Sequence, residues 1–232
     1  MNSQIILLDI EGTTTPIAFV YDVLFPFAHK GIADYLGRHS ATAAVREDLA
    51  QLREEHEADL RQGLAPPAYH DSAVSYLHWL MDNDRKSTPL KSLQGKIWEE
   101  GYRTGELKSR LFSDVPPAFE RWQREQKRIY IYSSGSVLAQ KLLFQYTEAG
   151  DLRKYISGYF DTNIGAKTDL ESYRRIAAAV KAPAADIAFI SDVTKELAAA
   201  RAAGMQVVLA VRPGNHPQPD TDSYPAITEL FL

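Results

Sequence analysis

The sequence contains no cysteine. Disulfides and thiolate-bound metals are therefore excluded, and a reducing, cytosolic setting is expected. No apolar run approaches the roughly 20 residues that span a bilayer. The start of the chain shows neither a basic leader nor a signal-type apolar segment, so a cytoplasmic protein is expected. A net charge of -4 supplies no general attraction to nucleic acid or anionic membrane. The six histidines, His29, His39, His56, His70, His78 and His216, show no HxxxH or HxH spacing, and a zinc site is not expected. Gly12 opens no Walker loop, because no Gly-Lys-Ser/Thr follows it. Ser133-Ser134-Gly135-Ser136 lacks the Gly-x-Ser-x-Gly of a serine-hydrolase elbow. There is no internal repeat and no low-complexity tract. At 232 residues the chain fits one domain with a large insertion or two modest domains, and nothing points to more than a monomer.

What stands out instead is Ile5-Ile6-Leu7-Leu8-Asp9-Ile10-Glu11-Gly12-Thr13-Thr14-Thr15. An unbroken apolar run suits a strand buried on both faces of a parallel sheet. Its polar end would then lie at the carboxyl edge, where open α/β sheets place their ligands. On an extended backbone Asp9 and Glu11 project to the same side. Two carboxylates so placed repel each other and call for a compensating charge, most simply a divalent cation. Alone, the stretch reads equally well as a polar strand end with a glycine turn.

From Pro16 to about Arg110 the pattern is helical, with no convincing strand. Val20 to Leu36 carries apolar residues at near-helical spacing, and Pro26 predicts a kink or two short helices. Ala41 to Arg61 is rich in helix formers, and Gly63 and Pro66-Pro67 stop it. Asp71-Ser72 would cap a helix carrying Val74, Leu77, Trp79, Leu80 and Met81. After a polar stretch, Lys91 to Arg103 is helical and ends near Gly105. The second half alternates. Strands are expected at Arg128 to Tyr132, Gly158 to Asp161, Asp186 to Ile190 and Gln206 to Val211. Helices are expected at Pro116 to Glu125, Val137 to Phe144, Leu170 to Val180 and Lys195 to Ala203, the last closed by Gly204. This is the pattern of a doubly wound parallel α/β sheet with an all-helical insertion. The expected division is a core of residues 1–16 plus 111–232 and a helical cap of residues 17–110. Arg212 to Asp222, rich in Pro and Asp, reads as a surface loop.

Three of these strands end in polar clusters, namely Asp9/Glu11, Ser133/Ser134 and Asp192, with Lys167 on a glycine-preceded loop. The set equips a site for phosphoryl transfer through an aspartyl-phosphate. A phosphate monoester repels a carboxylate, so Asp9 can attack only with a cation present. Mg²⁺, which seeks oxygen ligands, suits Asp9, Asp192 and a carbonyl of the 9–11 turn. Lys167 would pair with phosphate and Asp9, and Ser133 with the Ser134 amide would hold phosphate oxygens at a helix N-terminus. Glu11 would protonate the leaving oxygen and later deprotonate the hydrolytic water.

Asp9-x-Glu11-Gly12-Thr13, strand-terminal Ser133, Lys167 and Ser191-Asp192-x-x-x-Glu196 resemble, in order and spacing, the four motifs of the haloacid dehalogenase superfamily, whose phosphatases usually carry Asp where Glu11 stands. That departure, with Tyr132-Ser133-Ser134-Gly135-Ser136, Leu93-Gln94-Gly95-Lys96-Ile97-Trp98 and Gly101-Tyr102-x-x-Gly105-Glu106, is similar to the enolase-phosphatase branch. The resemblance spans nearly the whole chain. It implies enolisation and then dephosphorylation of 2,3-diketo-5-methylthiopentyl-1-phosphate to an acireductone in methionine salvage. It further implies one Mg²⁺ on Asp9, Glu11 (through its carbonyl) and Asp192, with substrate on Ser133, Ser134 and Lys167.

Blander readings compete. A capped Mg²⁺ phosphatase for another small phosphomonoester keeps the same site, and so does a phosphate-binding module without turnover. A dehalogenase needs neither Glu11 nor a metal. Glu196 is either a helix-surface acid or a contact behind the metal ligands, and the motif favours the second. Arg85 to Lys91 is either a substrate-facing cap loop or a solvated one. Trp79, Trp98 and Trp122 fit core positions, with Trp98 and Tyr102 also candidates for an apolar slot.

Overall fold

A computed structural model describes residues 3–69 and 73–230. By internal packing it resolves into two compact units, one running to Tyr21 and resuming at Lys108, the other Asp22–Leu107.

The first unit is built on six parallel strands: β1 (Ile5–Leu8), β2 (Arg128–Tyr132), β3 (Ile156–Phe160), β4 (Ile187–Ser191), β5 (Gln206–Ala210) and β6 (Ala226–Ile227). Their order across the sheet is β3-β2-β1-β4-β5-β6. Every residue of β1 and β4 is buried, as expected for central strands covered on both faces. Leu8 is level with Ile131 of β2 and with Ile190 of β4. The residues that follow in each strand, Asp9, Tyr132-Ser133 and Ser191-Asp192, therefore leave the sheet at one edge.

Four helices of this unit follow the expected pattern closely: α6 (Val115–Arg124), α7 (Val137–Gln145), α8 (Leu170–Ala179) and α9 (Thr194–Ala202). Trp122 of α6 is fully buried. Gly204 closes α9 at φ +91, a conformation that costs a Cβ-bearing residue energy. The two-residue β6 was not anticipated, because so short a run carries no periodicity.

The first unit's opening stretch ends in a short helix, α1 (Ile17–Phe19), and a π-helical segment, Val20–Leu24, runs across the start of the second unit at Asp22. In the helical unit, α2 (Phe25–His39), α3 (Ala43–Arg61), α4 (Val74–Asp82) and α5 (Thr88–Thr104) pack together without a strand among the described residues. The break expected at Pro26 lies upstream of it. Pro26 stands in the first turn of α2, where its missing N–H is not needed, and the irregular hydrogen bonding falls in the π segment. Helix α5 starts three residues before the expected Lys91. Ser87 caps it by accepting from the Leu90 amide (3.2 Å), and Pro89 fits the first turn. The Arg85 to Lys91 run is therefore mostly helix start, and Arg85 itself pairs with buried Asp59 at 2.7 Å. Gly101 permits α5 to approach α2, since a Cβ there would sit 2.5 Å from Phe27 Cζ. Trp98 and Tyr102 are buried core residues, and the Trp98 indole N–H donates to the Leu24 carbonyl (2.8 Å). The expected cap at Asp71-Ser72 lies outside the described residues.

Candidate active site

Strand β1 ends at Leu8, and the chain turns at once. The Ile10 carbonyl accepts from the amides of Thr13 (3.2 Å), Thr14 (2.9 Å) and Thr15 (2.9 Å). Gly12, at φ +65, completes the turn. Asp9 and Glu11 are thus not neighbours on one strand face. Asp9 enters the buried edge of the sheet, while Glu11 rides on the turn and is half-buried.

Asp9 is the hub. Its Oδ1 accepts from its neighbour's amide, Ile10 N (2.8 Å), and from Lys167 Nζ (2.5 Å). Lys167 also meets Glu196 Oε2 at 2.7 Å. The Ser191 hydroxyl, at the end of β4, lies 3.3 Å from Asp9 Oδ2 and 3.0 Å from Glu196 Oε2, and it has one proton for the two carboxylates. Glu196 is accordingly a buried partner of the lysine. Asp192 is buried beside the Gly12 turn. A Cβ placed on Gly12 would lie 2.3 Å from Asp192 Oδ2, so only glycine lets the turn and this carboxylate approach.

The lysine is held from behind. Tyr173 donates to the Lys167 carbonyl (2.6 Å), Tyr132 donates to the Gly165 carbonyl (2.9 Å), and the ammonium stands 5.8 Å from the Tyr132 ring centroid. At the end of β2, Ser133 is buried and its Oγ accepts from the Gly135 amide (3.2 Å), while Ser134 is exposed. Ser136 caps α7 by accepting from Ala139 N (3.3 Å), which aims that helix's first amides along the same loop. The buried Gln140 amide donates to the carbonyls of Gly135 (2.8 Å) and Phe160 (2.9 Å), tying this loop to β3.

The electrostatics follow from burial of unequal charge. Three carboxylates, Asp9, Asp192 and Glu196, share one ammonium. Burial, then the charges of Asp9 and Glu196, push the Asp192 carboxyl up to about 7, with Lys167 opposing. Burial and Asp9 raise Glu196 in the same way. Burial by itself would lower the Lys167 ammonium, but Asp9 and Glu196 outweigh it and hold the group above its ordinary value.

Among the described residues no three His, Cys, Asp or Glu side chains converge as a metal-binding group. The expected Mg²⁺ set asks for less, two carboxylates and a backbone carbonyl, since this ion keeps several waters. The residues fit that ion on two counts. The excess negative charge is what a divalent cation would offset, and the glycine cradle keeps Asp192 against the turn that carries Glu11.

Tyr173 and Gln140 escaped the sequence reading, and Ser191, quoted there within a motif, was given no role. All three are ordinary residue types whose roles come from strand register and helix packing. The segment Arg212 to Asp222 is the expected loop and is mostly exposed, and the correction falls on its first residue. Arg212 is buried, donating to Thr13 O (3.0 Å) and pairing with Asp114 (3.0 and 2.8 Å). A lone arginine in a Pro-rich stretch gives no local sign of a partner 98 positions away.

A six-stranded parallel sheet with an aspartate-lysine-acid cluster at its carboxyl edge defines a phosphoryl-transfer hydrolase of the doubly wound α/β class. The family model for haloacid dehalogenase-like hydrolases matches residues 4–204. Enolase-phosphatase E1 of Synechococcus elongatus is 53% identical over 90% of this chain and 89% of its own. A probable bifunctional methylthioribulose-1-phosphate dehydratase/enolase-phosphatase E1 of Arabidopsis thaliana is 46% identical over 97% of this chain and 47% of its own. The crystal structure of the UTR4 protein of Saccharomyces cerevisiae superimposes with a TM-score of 0.81 at 35% identity, covering 98% of both chains. The chain belongs to the haloacid dehalogenase-like hydrolases and, within them, to the enolase-phosphatase E1 family.

Proposed function

We propose that this chain is a Mg²⁺-dependent enolase-phosphatase (acireductone synthase) acting on 2,3-diketo-5-methylthiopentyl-1-phosphate in methionine salvage. The observation that carries the reading is the buried Asp9–Lys167–Glu196 cluster with Asp192 against the Gly12 turn. The Arabidopsis relative supports the substrate, because its name joins this activity to a methylthioribulose-1-phosphate dehydratase. Loss of water from the C3–C4 diol of such a 2-keto sugar phosphate gives a 2,3-diketone 1-phosphate.

In the first step C1 of the substrate loses a proton, the C2 carbonyl oxygen gains one, and a C1=C2 double bond forms. Glu11 is the base in this reading and keeps the C1 proton, while water supplies the proton on the C2 oxygen. In the second, an Asp9 carboxylate oxygen attacks phosphorus while the C1 oxygen leaves with its bonding pair and takes a proton from Glu11. Water then gives a proton to Glu11 and attacks the aspartyl-phosphate, releasing phosphate and restoring Asp9. Lys167 keeps Asp9 ionised and pairs with the phosphate. Ser133 Oγ and the Ser134 amide hold phosphate oxygens, and Glu196 positions Lys167 and Ser191. Bound through Asp9, Asp192 and the Glu11 carbonyl, Mg²⁺ would offset the charge that keeps an anionic ester from an anionic nucleophile. The helical segment 17–110 serves as the cap in this reading. The enzyme works as a cytoplasmic monomer on a small phosphorylated substrate without nucleic acid or membrane; no described helix is long and apolar enough to cross one.

The test follows enol absorbance and phosphate release on one sample with Mg²⁺ and the diketo-phosphate. Both signals are expected, absorbance first. Phosphate released only from simpler esters would replace the substrate while keeping the phosphatase, and neither signal would favour a binding module. Glu11→Gln should slow enolisation by about 10²–10⁴-fold. A variant that enolises at the wild-type rate removes Glu11 as the base.

A further inference from the structure

Asn215 lies in the segment read from sequence as a surface loop, yet its side chain is engaged with the site. Its Nδ2 donates to the Gly12 carbonyl (2.9 Å) and to the Ala210 carbonyl at the end of β5 (3.2 Å). Both protons of the amide are thus spent on backbone, which fixes its orientation. The flipped amide would set an oxygen against two carbonyl oxygens. Its own carbonyl, Oδ1, is buried and finds no hydrogen-bond partner in the protein. The position a Gly12 Cβ would take lies 2.9 Å from Asn215 Oδ1 and 2.3 Å from Asp192 Oδ2, so both oxygens face the same spot beside the turn. The loop holding Asn215 is anchored two ways. The Asn215 amide donates to the Arg212 carbonyl (3.1 Å), and the Arg212 side chain is bound in turn to Thr13 O.

A buried acceptor left without a donor costs stability unless something else supplies the donor. We propose that Asn215 is a positioning residue for the cation site: its amide N–H groups fix the Gly12 turn, and its Oδ1 accepts a hydrogen bond from a water that the Mg²⁺ retains. Mg²⁺ gives up its waters reluctantly, and groups that orient such outer ligands shape its affinity. The inference rests on the Mg²⁺ reading above. It adds a residue from the loop after β5, a strand that supplies none of the expected ligands.

The experiment is calorimetric titration of Mg²⁺ into the full-length, metal-stripped protein without substrate, with the melting temperature of each chelated variant measured alongside. Asn215→Ala is expected to weaken Mg²⁺ binding by about 10-fold or more. Asn215→Asp keeps an acceptor at that place but loses both donors to the backbone, and is expected to bind Mg²⁺ more weakly than the wild type and more tightly than the alanine variant. If the alanine variant does not fold, Asn215→Leu, close in size and without an acceptor, takes its place. Wild-type affinity in the variants lacking the acceptor overturns the proposal, as does a lowered melting temperature with affinity unmoved. So does an aspartate variant as weak as the alanine one. A wild-type protein that takes up no Mg²⁺ fails the metal reading itself, which is a different result from a wild type that binds beside variants that bind equally well.

Discussion

Arg212 and Lys167 are buried cations of the same unit, and their surroundings are built on opposite terms. Arg212 faces one carboxylate, Asp114, through two hydrogen bonds, and gives two further donors to the carbonyls of Thr13 and Thr228. Asp114 in turn accepts from the Leu230 amide (2.6 Å). Charge and hydrogen bonding balance there, and the pair ties the Gly12–Thr15 turn to the end of the chain. Lys167 faces two carboxylates with a third close by, and the hydroxyl that Asp9 and Glu196 share, Ser191, cannot donate to both at once. Burying like charges is a poor way to stabilise a fold, and such frustration concentrates where chemistry needs it. The contrast marks the balanced pair as scaffold and puts the proposed chemistry at the unbalanced cluster.

Breaking each cluster separates these roles. Asp9→Asn should reduce phosphate release by about 10⁴-fold or more, as expected for loss of a nucleophile. The chelated variant should melt no lower than the wild type, because one of the crowded charges is gone. Single-turnover phosphate release with the diketo-phosphate and a thermal melt check the two halves. A large loss of stability with retained turnover would invert the assignment. Asp114→Ala should do the opposite. It strands a buried guanidinium, a change worth about 3–5 kcal/mol, and should lower the melting temperature by roughly 10 °C in a protein this size. Turnover by the folded protein should fall far less than in Asp9→Asn. Scanning calorimetry read beside kcat decides this.

The difference between the clusters also explains what was legible in the sequence. Asp9, Glu11, Ser133, Lys167 and Asp192 could be singled out because apolar strand runs end at or near them, and a parallel sheet brings strand ends to one edge. The structure then brings Asp9 and Lys167 into contact and sets Asp192 against Gly12, with Ser133 at the neighbouring strand end. The balanced pair left no such trace. Neither Asp114, before a Pro-Pro helix start, nor Arg212, before a proline and glycine, carries a local pattern that predicts burial. Asn215 was missed for the same reason, since its importance lies in which carbonyls it reaches. The turn after Leu8 shows the limit at short range. Asp9 and Glu11 were placed on an extended strand, whereas the strand ends at Leu8 and three amides converging on the Ile10 carbonyl make the segment a turn.

The smallest effect expected is one of pH, and it bears on the unbalanced cluster alone. In the metal-free protein the Asp192 carboxyl is pushed up to about 7, from an ordinary 3.8, by burial and by Asp9 and Glu196. Between those two values the folded state binds a proton that the unfolded chain releases. Stability must therefore fall as pH rises through this window and level off above it. The chelated protein should melt a few degrees higher near pH 5.5 than near pH 8, on the order of 5 °C. The direction is the reverse of that for a salt-bridged carboxylate, whose stabilisation is lost as pH falls. Asp192→Asn should reduce the slope, leaving the part due to Glu196, which burial and Asp9 raise in the same direction. Asp114→Ala, though much less stable, should keep the slope, because the balanced pair lies outside this cluster. A melting temperature that climbs from pH 5.5 to 8 in the chelated wild type would mean that the carboxylates at the sheet edge are not in conflict, and the contrast between the two cations would lose its physical basis.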